Sequence, residues 1–311
     1  MTYRIGVFSR YKQKRDPYQG YHGSPCKIFK IINELNSFFD FKCYYNDYSE
    51  PYDFAIVDRI TPRRRIKSNY ILGIFEATPG GKWATDYCSI SPSSRKVRDG
   101  QFFLLNYCHG KKITLNTLSK NRSNGVYLGR LDSPAELKIK ALNRERLSLD
   151  IFPIKYWDGK RVLRFHRPHP EAKRNIAFLK KKIPKSNILY PVRHDKLCDS
   201  LNKGGYAYGF VPSIYSLQSK RSQIESSSKF FEYIGAGIPV LIEKSVPEAS
   251  IVRKAPFLGE IFSGEADMIR KARKLSSNKY SYLNILKFSQ REHFPDSRAL
   301  LLYNEFIKDR L

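Results

Sequence analysis

The sequence predicts an α/β protein of two open, doubly wound domains with a cleft between them. Three observations carry this. Short apolar runs rich in β-formers alternate with segments whose apolar residues recur at helical spacing. The chain is 311 residues long, room for two domains at roughly 100 to 200 residues each. A polar, weakly patterned stretch, residues 111–123, separates a first series of elements from a clearer second one. The expected division is therefore residues 1–120 and 121–311. With 41% hydrophobic residues the chain can bury full cores, which excludes a disordered protein.

Each element has a local reason. Tyr3 to Phe8 is a short β-forming run followed by a loop containing Gly20 and Gly23. Ser24-Pro25 opens a segment with Ile28, Ile31, Ile32, Leu35, Phe38 and Phe39 at 3- and 4-residue spacing, an amphipathic helix. Further strands are expected at Phe41–Tyr45, Tyr52–Val57, Tyr70–Phe75 and Phe102–Tyr107, with few helices visible between the later ones. In the second part, Val126–Leu128 reads as a strand. Ser133-Pro134-Ala135-Glu136 after it reads as a capping box with proline in the first turn. Strands at Leu149–Ile154, Ile188–Tyr190, Tyr206–Val211, Pro239–Ile242 and Leu258–Phe262 follow. Helices are expected at Asp195–Leu201, from about Ser226, at Pro247–Arg253, at Glu265–Leu275, and around Ala299–Lys308. That last helix is expected to pack back on the first domain.

Charge narrows the function. Fifty-six Lys and Arg against 29 Asp and Glu give a net charge of +27, which implies an anionic partner. From Lys160 to Lys196 twelve basic residues face only Glu171 and Asp195, with Phe165, His166, Phe178 and Tyr190 interleaved. Arg59, Arg63, Arg64, Arg65 and Lys67 follow the Tyr52–Val57 strand, where a cleft-facing anion or acceptor site is expected, or else a solvated loop. No run of 18 apolar residues occurs and the start shows no leader pattern, so neither a membrane span nor a signal peptide is expected and the expected location is the cytoplasm. The five cysteines, Cys26, Cys43, Cys88, Cys108 and Cys198, are scattered without a CxxC pair, which reads as reduced thiols and no metal.

The most informative stretch is Ser226 to Glu248, SSSKFFEYIGAGIPVLIEKSVPE. A helix holding Lys229, Glu232 and Tyr233 ends at Gly235-Ala236-Gly237 and passes into a buried strand. Lys229 and Glu232 share a helix face, which suits either a phosphate and a ribose diol or a plain surface ion pair. The segment KFFEYIGAGIPVLI resembles the donor-site segment of GT-B glycosyltransferases, in particular the family 4 group. The element order from Gly125 to the end resembles that fold's Rossmann-like nucleotide-binding domain. IGVFSR and WATDYCSISPSS in the first part resemble its weaker acceptor-domain signatures.

The resemblance implies a nucleoside-diphosphate sugar as donor substrate, with Glu232 on the ribose hydroxyls and Gly235 and Gly237 admitting the donor to the backbone. It places Arg130 on the diphosphate after the strand Val126–Leu128, with Lys138 as its partner; the helix face shared with Glu232 makes Lys229 a further candidate donor contact. The family's earlier glutamate falls on Ile224, with Glu225 one place off, and Arg130 and Lys138 are spaced more widely than the family's basic pair. There is no DxD triplet, so cations rather than a metal are expected to stabilise the leaving group, and no cofactor is expected. A catalytic base of an inverting enzyme would come from the first domain, with His22 first, then His109 and Asp86. The expected acceptor is a glycan precursor or lipid-linked glycoconjugate at a membrane surface. The alternatives are hydroxymethylated bases in DNA, as in phage enzymes, with Trp83, Tyr18 or Tyr21 stacking an extruded base, and a non-catalytic nucleic-acid-binding protein.

Overall fold

The computed structural model describes residues 2–9, 27–58, 60–75, 83–89, 102–103, 108, 112–113, 124–157, 162–165, 170–213, 228–277 and 280–310. In the first part, strand β1 (Tyr3–Ser9) leads to helix α1 (Lys27–Leu35). Strands β2 (Phe41–Tyr45), β3 (Phe54–Asp58), β4 (Ile71–Phe75), β5 (Asp86–Ser89) and β6 (Phe102–Phe103) follow. They form one parallel sheet in the order β2-β1-β3-β4-β5-β6. Buried on both faces, β3 reads FAIVD, a continuous apolar run rather than an alternation, as parallel strands require.

The second sheet begins with β7 (Gly125–Leu131), helix α2 (Ser133–Arg144), β8 (Leu149–Trp157) and β9 (Val162–Arg164). Helix α3 (Ala172–Lys182), β10 (Asn187–Ile188), α4 (His194–Lys203), β11 (Tyr208–Val211) and α5 (Ser228–Gly235) come next. Then follow β12 (Val240–Glu243), α6 (Ala249–Lys254), β13 (Gly259–Phe262), α7 (Glu265–Ser277), α8 (Tyr282–Glu292) and α9 (Pro295–Leu302). The strand order is β10-β8-β7-β11-β12-β13, all parallel, with β9 added antiparallel to β8. The direction of strand succession reverses between β7 and β11. That is the switch point where open α/β sheets bind ligands, beyond the strands' carboxyl ends.

One core fills each face of the second sheet. Cys108 and Ile113 already belong to the one beneath α5. The first sheet's core is completed from the far end of the chain. Ala299 and Leu302 of α9, with Phe306 and Ile307 just beyond it, pack among Ile28, Ile31, Ile32 and Leu35 of α1. The chain thus passes between the two sheets near residue 108 and returns at 293–295.

Two local expectations are corrected. The cap of α2 is Asp132, whose side chain accepts from the Ala135 amide at 3.2 Å, so Ser133 lies inside the helix. Glu136 is not a capping partner. It is buried and bound instead by Lys140, Tyr156 and Lys182. The helix α3 within the basic stretch, and α8, were not anticipated.

Candidate functional site

Helix α5 is positioned by its tyrosine and glycines. Tyr233, fully buried, accepts the Leu128 amide at 2.8 Å and lies against Gly209, where a Cβ would meet its ring at 2.2 Å. This fastens α5 across β7 and β11, the two strands of the switch point. The helix closes in a Schellman arrangement. Ile238 N donates to Tyr233 O and Gly237 N to Ile234 O, with Gly237 in the left-handed region at φ 71°. Gly237 is thus demanded by backbone conformation. Gly235 makes room for a neighbour, since a Cβ there would lie 2.3 Å from Cys108 Sγ.

Lys229 and Glu232 are not a surface pair. Both are buried, at 9% and 1% exposure. Lys229 Nζ sits 5.4 Å above the Tyr127 ring, in the field of Asp132, Glu248 and Arg130. Burial pulls its ammonium down to about 8, against the partial support of the two carboxylates. Asp132 is pushed up, chiefly by its own burial. Glu232 Oε2 accepts from the Cys108 thiol at 3.4 Å.

Arg130 is exposed at the carboxyl end of β7. It follows Gly129, whose φ is 98°, at a register shift against β8. The Tyr127 hydroxyl donates to its carbonyl. Arg130, Lys229 and the amino end of α2 therefore gather at one strand end, the disposition that attracts a phosphate. Lys138 is spent elsewhere. It pairs with Glu243 at the end of β12, which also accepts from the Ser213 amide at 2.7 Å.

The remaining expected residues do not join this group. Asp86 opens β5 at the sheet's amino edge, where it accepts from the Tyr70 hydroxyl at 3.0 Å. That edge is opposite to the carboxyl edge, where open α/β sheets bind ligands. Trp83 packs edge-on against Tyr87 at 5.8 Å, beside the same edge. Arg63, Arg64 and Arg65 are exposed between β3 and β4, and Lys67 reaches back to the Ser49 carbonyl at 3.1 Å. His22, His109, Arg59, Tyr18, Tyr21, Ile224 and Glu225 lie outside the described residues. Sequence reasoning missed Asp58, buried at the carboxyl end of β3 and 3.4 Å from Ser9 Oγ at the end of β1. These two strands flank the first sheet's own switch point. An aspartate closing an apolar strand was the available signal.

No family model matches the sequence, and no curated protein matches it. Solved structures do match. AviGT4, a glycosyltransferase involved in avilamycin A biosynthesis, superposes over 99% of this chain and 98% of its own, with 11% identity and a TM-score of 0.67. The chain has the GT-B fold. Anabaena HepE, solved in complex with UDP, matches this GT-B chain over 98% of its length and 99% of that chain, at 10% identity and TM-score 0.60. The lipopolysaccharide outer core galactosyltransferase WaaB, in apo form, covers 99% of it with 100% of its own length, at 10% identity and TM-score 0.58.

Proposed function

We propose that this GT-B protein is a glycosyltransferase that moves a sugar from a nucleoside-diphosphate sugar to a glycan or lipid-linked acceptor without a catalytic metal. The observation that carries the reading is the gathering of Arg130, buried Lys229 and the start of α2 at the carboxyl end of β7, with Glu232 three residues after Lys229 on α5. Departure of a nucleoside diphosphate develops negative charge on the β-phosphate oxygens. Preorganised cations and amides in a dry pocket stabilise that charge with little reorganisation. Lys229 suits the role: a bound diphosphate offsets the cost of holding its ammonium charged while buried. Lys138, neutralised by Glu243, is not needed for it. A ribose diol would take the Glu232 oxygen that the Cys108 thiol now holds. The GT-B neighbours include one solved with UDP bound, which supports a uridine nucleotide as the first donor to try.

The acceptor follows from charge. The +27 excess favours an anionic acceptor or an acidic surface on which it is held. Among the described residues no helix is long and apolar enough to cross a membrane.

The deciding experiment is calorimetric titration with UDP and UDP-sugars, with turnover followed by release of UDP. Wild-type protein is expected to bind in the micromolar range, and Glu232→Gln to bind at least tenfold more weakly while melting within a few degrees of wild type. A protein that binds no nucleotide, or a Glu232→Gln variant that binds as wild type does, removes the assignment. Turnover only on duplex DNA containing hydroxymethylated pyrimidines would transfer it to the nucleic-acid acceptor.

A further inference from the structure

Three side chains from distant parts of the sequence converge inside the second core. Cys108 Sγ lies 3.4 Å from Cys198 Sγ and 3.4 Å from Glu232 Oε2. The three donor atoms all fall within 4.8 Å of one another. Cys108 lies on the segment leading from the first sheet to the second, Cys198 on α4 and Glu232 on α5, and none is more than 1% exposed. The absent side chain of Gly235 holds the space for the Cys108 thiol, and the Cys108 amide is anchored on the His293 carbonyl at 2.8 Å. Two soft sulfurs and a carboxylate from three separate parts of the chain have the composition of a metal ligand set.

We propose that Cys108, Cys198 and Glu232 form a binding site for a thiophilic divalent cation, with Zn²⁺ as the leading candidate, and that filling it closes the donor pocket to nucleotide. The second half rests on the proposed role of Glu232 in donor binding. The first does not.

The distances discriminate between the uses of a thiol pair. A disulfide holds its sulfurs about 2.05 Å apart, far inside the observed separation. A tetrahedral zinc with Zn–S bonds of about 2.3 Å and a Zn–O bond of about 2.1 Å sets S···S near 3.8 Å and S···O near 3.6 Å. The two separations from Cys108 reach these by shifts of about 0.4 Å to Cys198 and about 0.2 Å to Glu232, and the remaining pair, Cys198 and Glu232, lies within 4.8 Å. Thiolates select zinc over magnesium or calcium, which prefer oxygen. Binding forms two Zn–S bonds and one Zn–O bond and releases the two thiol protons to solvent. Three protein ligands leave a fourth position open for water. The cation would sit on the carboxylate that a ribose needs, not on the diphosphate, so its action is inhibitory and the metal-free chemistry proposed above stands beside it. By linkage, metal and nucleotide weaken each other's binding by the same factor.

The test uses the full chain, freed of metal and titrated first with Co²⁺ and then with Zn²⁺. One Co²⁺ per chain is expected, with an intense near-ultraviolet thiolate-to-cobalt band that Zn²⁺ displaces. The band should vanish in Cys198→Ser and in Cys198→Ala, both checked for a native melting transition, and persist in Cys43→Ser. No band, or a band that survives in both folded Cys198 variants, overturns the site. So does thiol titration of the unfolded, unreduced protein that finds two of its five thiols missing, because the pair would then be oxidised. In the second arm, UDP is titrated with and without one equivalent of Zn²⁺. The apparent affinity of wild-type protein is expected to fall at least tenfold with zinc, and that of Cys198→Ser to stay unchanged. Equal affinity with and without zinc overturns the closure. If metal-free protein binds no UDP at all while the cobalt band is present, the donor assignment falls and the metal site stands.

Discussion

Lys229 shows how one side chain can be costly to the fold and suited to the proposed donor site. Its folded value of about 8 lies below the roughly 10.4 of an unfolded lysine. Below pH 8 both states hold the proton, and the folded state bears the full penalty of burying it, about 3 kcal/mol. As pH rises from 8 to about 10.4 the folded state releases its proton first, and the penalty disappears. The contribution of this group to stability therefore increases with pH across that window. Replacing Lys229 with Met is expected to raise the melting temperature at pH 7 and flatten its rise in alkali, while costing at least tenfold in nucleotide affinity. Nucleotide binding should carry the opposite slope. A diphosphate favours the charged ammonium, so wild-type affinity should decline as pH passes 8, and Lys229→Arg should hold it level. Calorimetry at pH 7, 8 and 9 checks both. A Lys229→Met protein that melts lower and binds UDP normally would make Lys229 a structural residue instead.

At the scale of elements, the junction of α8 and α9, where the chain returns to the first sheet, carries its own titration. Arg298 has only donors, so the contact of its guanidinium at 2.5 Å on His293 Nδ1 fixes the proton of the neutral ring on Nε2. Burial, with Arg298 adding to it, drives the imidazole down to about 2. An unfolded histidine titrates near 6.5, so below that pH the unfolded state takes up a proton that the folded state refuses. Stability should then fall by up to about 1.4 kcal/mol per pH unit from this group alone. Urea melts between pH 7 and 4.5 are expected to lose this slope in His293→Phe, which keeps a ring between Phe231 and Phe288. A slope unchanged in that variant would assign the acid lability elsewhere. This junction was illegible in the sequence, because its meaning lies in contacts with Phe231 and Cys108, far away along the chain. What could be read was what is local. The strand alternation and the glycine-closed α5 were legible because glycine at φ 71° and a buried apolar helix leave short-range marks. The cap of α2 was misread by one residue because Asp132 and Ser133 both fit an N-cap and only packing chooses between them. Helix α3 was hidden because Ile176 and Leu179 are a thin apolar stripe among lysines. Of the candidate site, the positions of Glu232 and Arg130 could be read from motif and strand order, whereas the placement of Asp58 and the company of Cys108 depend on which strand ends and segments meet in space.

For the whole molecule, the decisive quantity is where unpaired positive charge faces solvent. On the second sheet's outer edge Lys173, Arg174, Lys180, Lys181 and Lys185 are exposed on and just after α3. Lys155 and Arg164 oppose one another across β8 and β9. Phe178 is 41% exposed among them and Val162 49%. Cations interspersed with a few exposed apolar groups suit the interface of an acidic bilayer, where each lysine or arginine near the surface is worth about 1 kcal/mol. Reversing Lys173, Arg174, Lys180 and Lys181 to Glu removes four such contributions and adds repulsion, so partition onto vesicles rich in anionic lipid should fall by more than about a hundredfold. Raising ionic strength shortens the reach of every exposed charge, the Debye length being about 8 Å at physiological salt and about 3 Å at 1 M. Wild-type protein should therefore leave the vesicles as salt rises. The four substitutions lie on a solvated face remote from Lys229 and Glu232 in sequence and burial, so UDP affinity is expected to be unchanged in the variant. Vesicle sedimentation at three salt concentrations, run beside the same series with duplex DNA, separates the two acceptor settings. Salt-sensitive vesicle binding lost in the variant supports an acceptor held at a membrane surface. Vesicle binding that the variant retains would place the contact on another face, and tight DNA binding without vesicle binding would turn the charge toward nucleic acid.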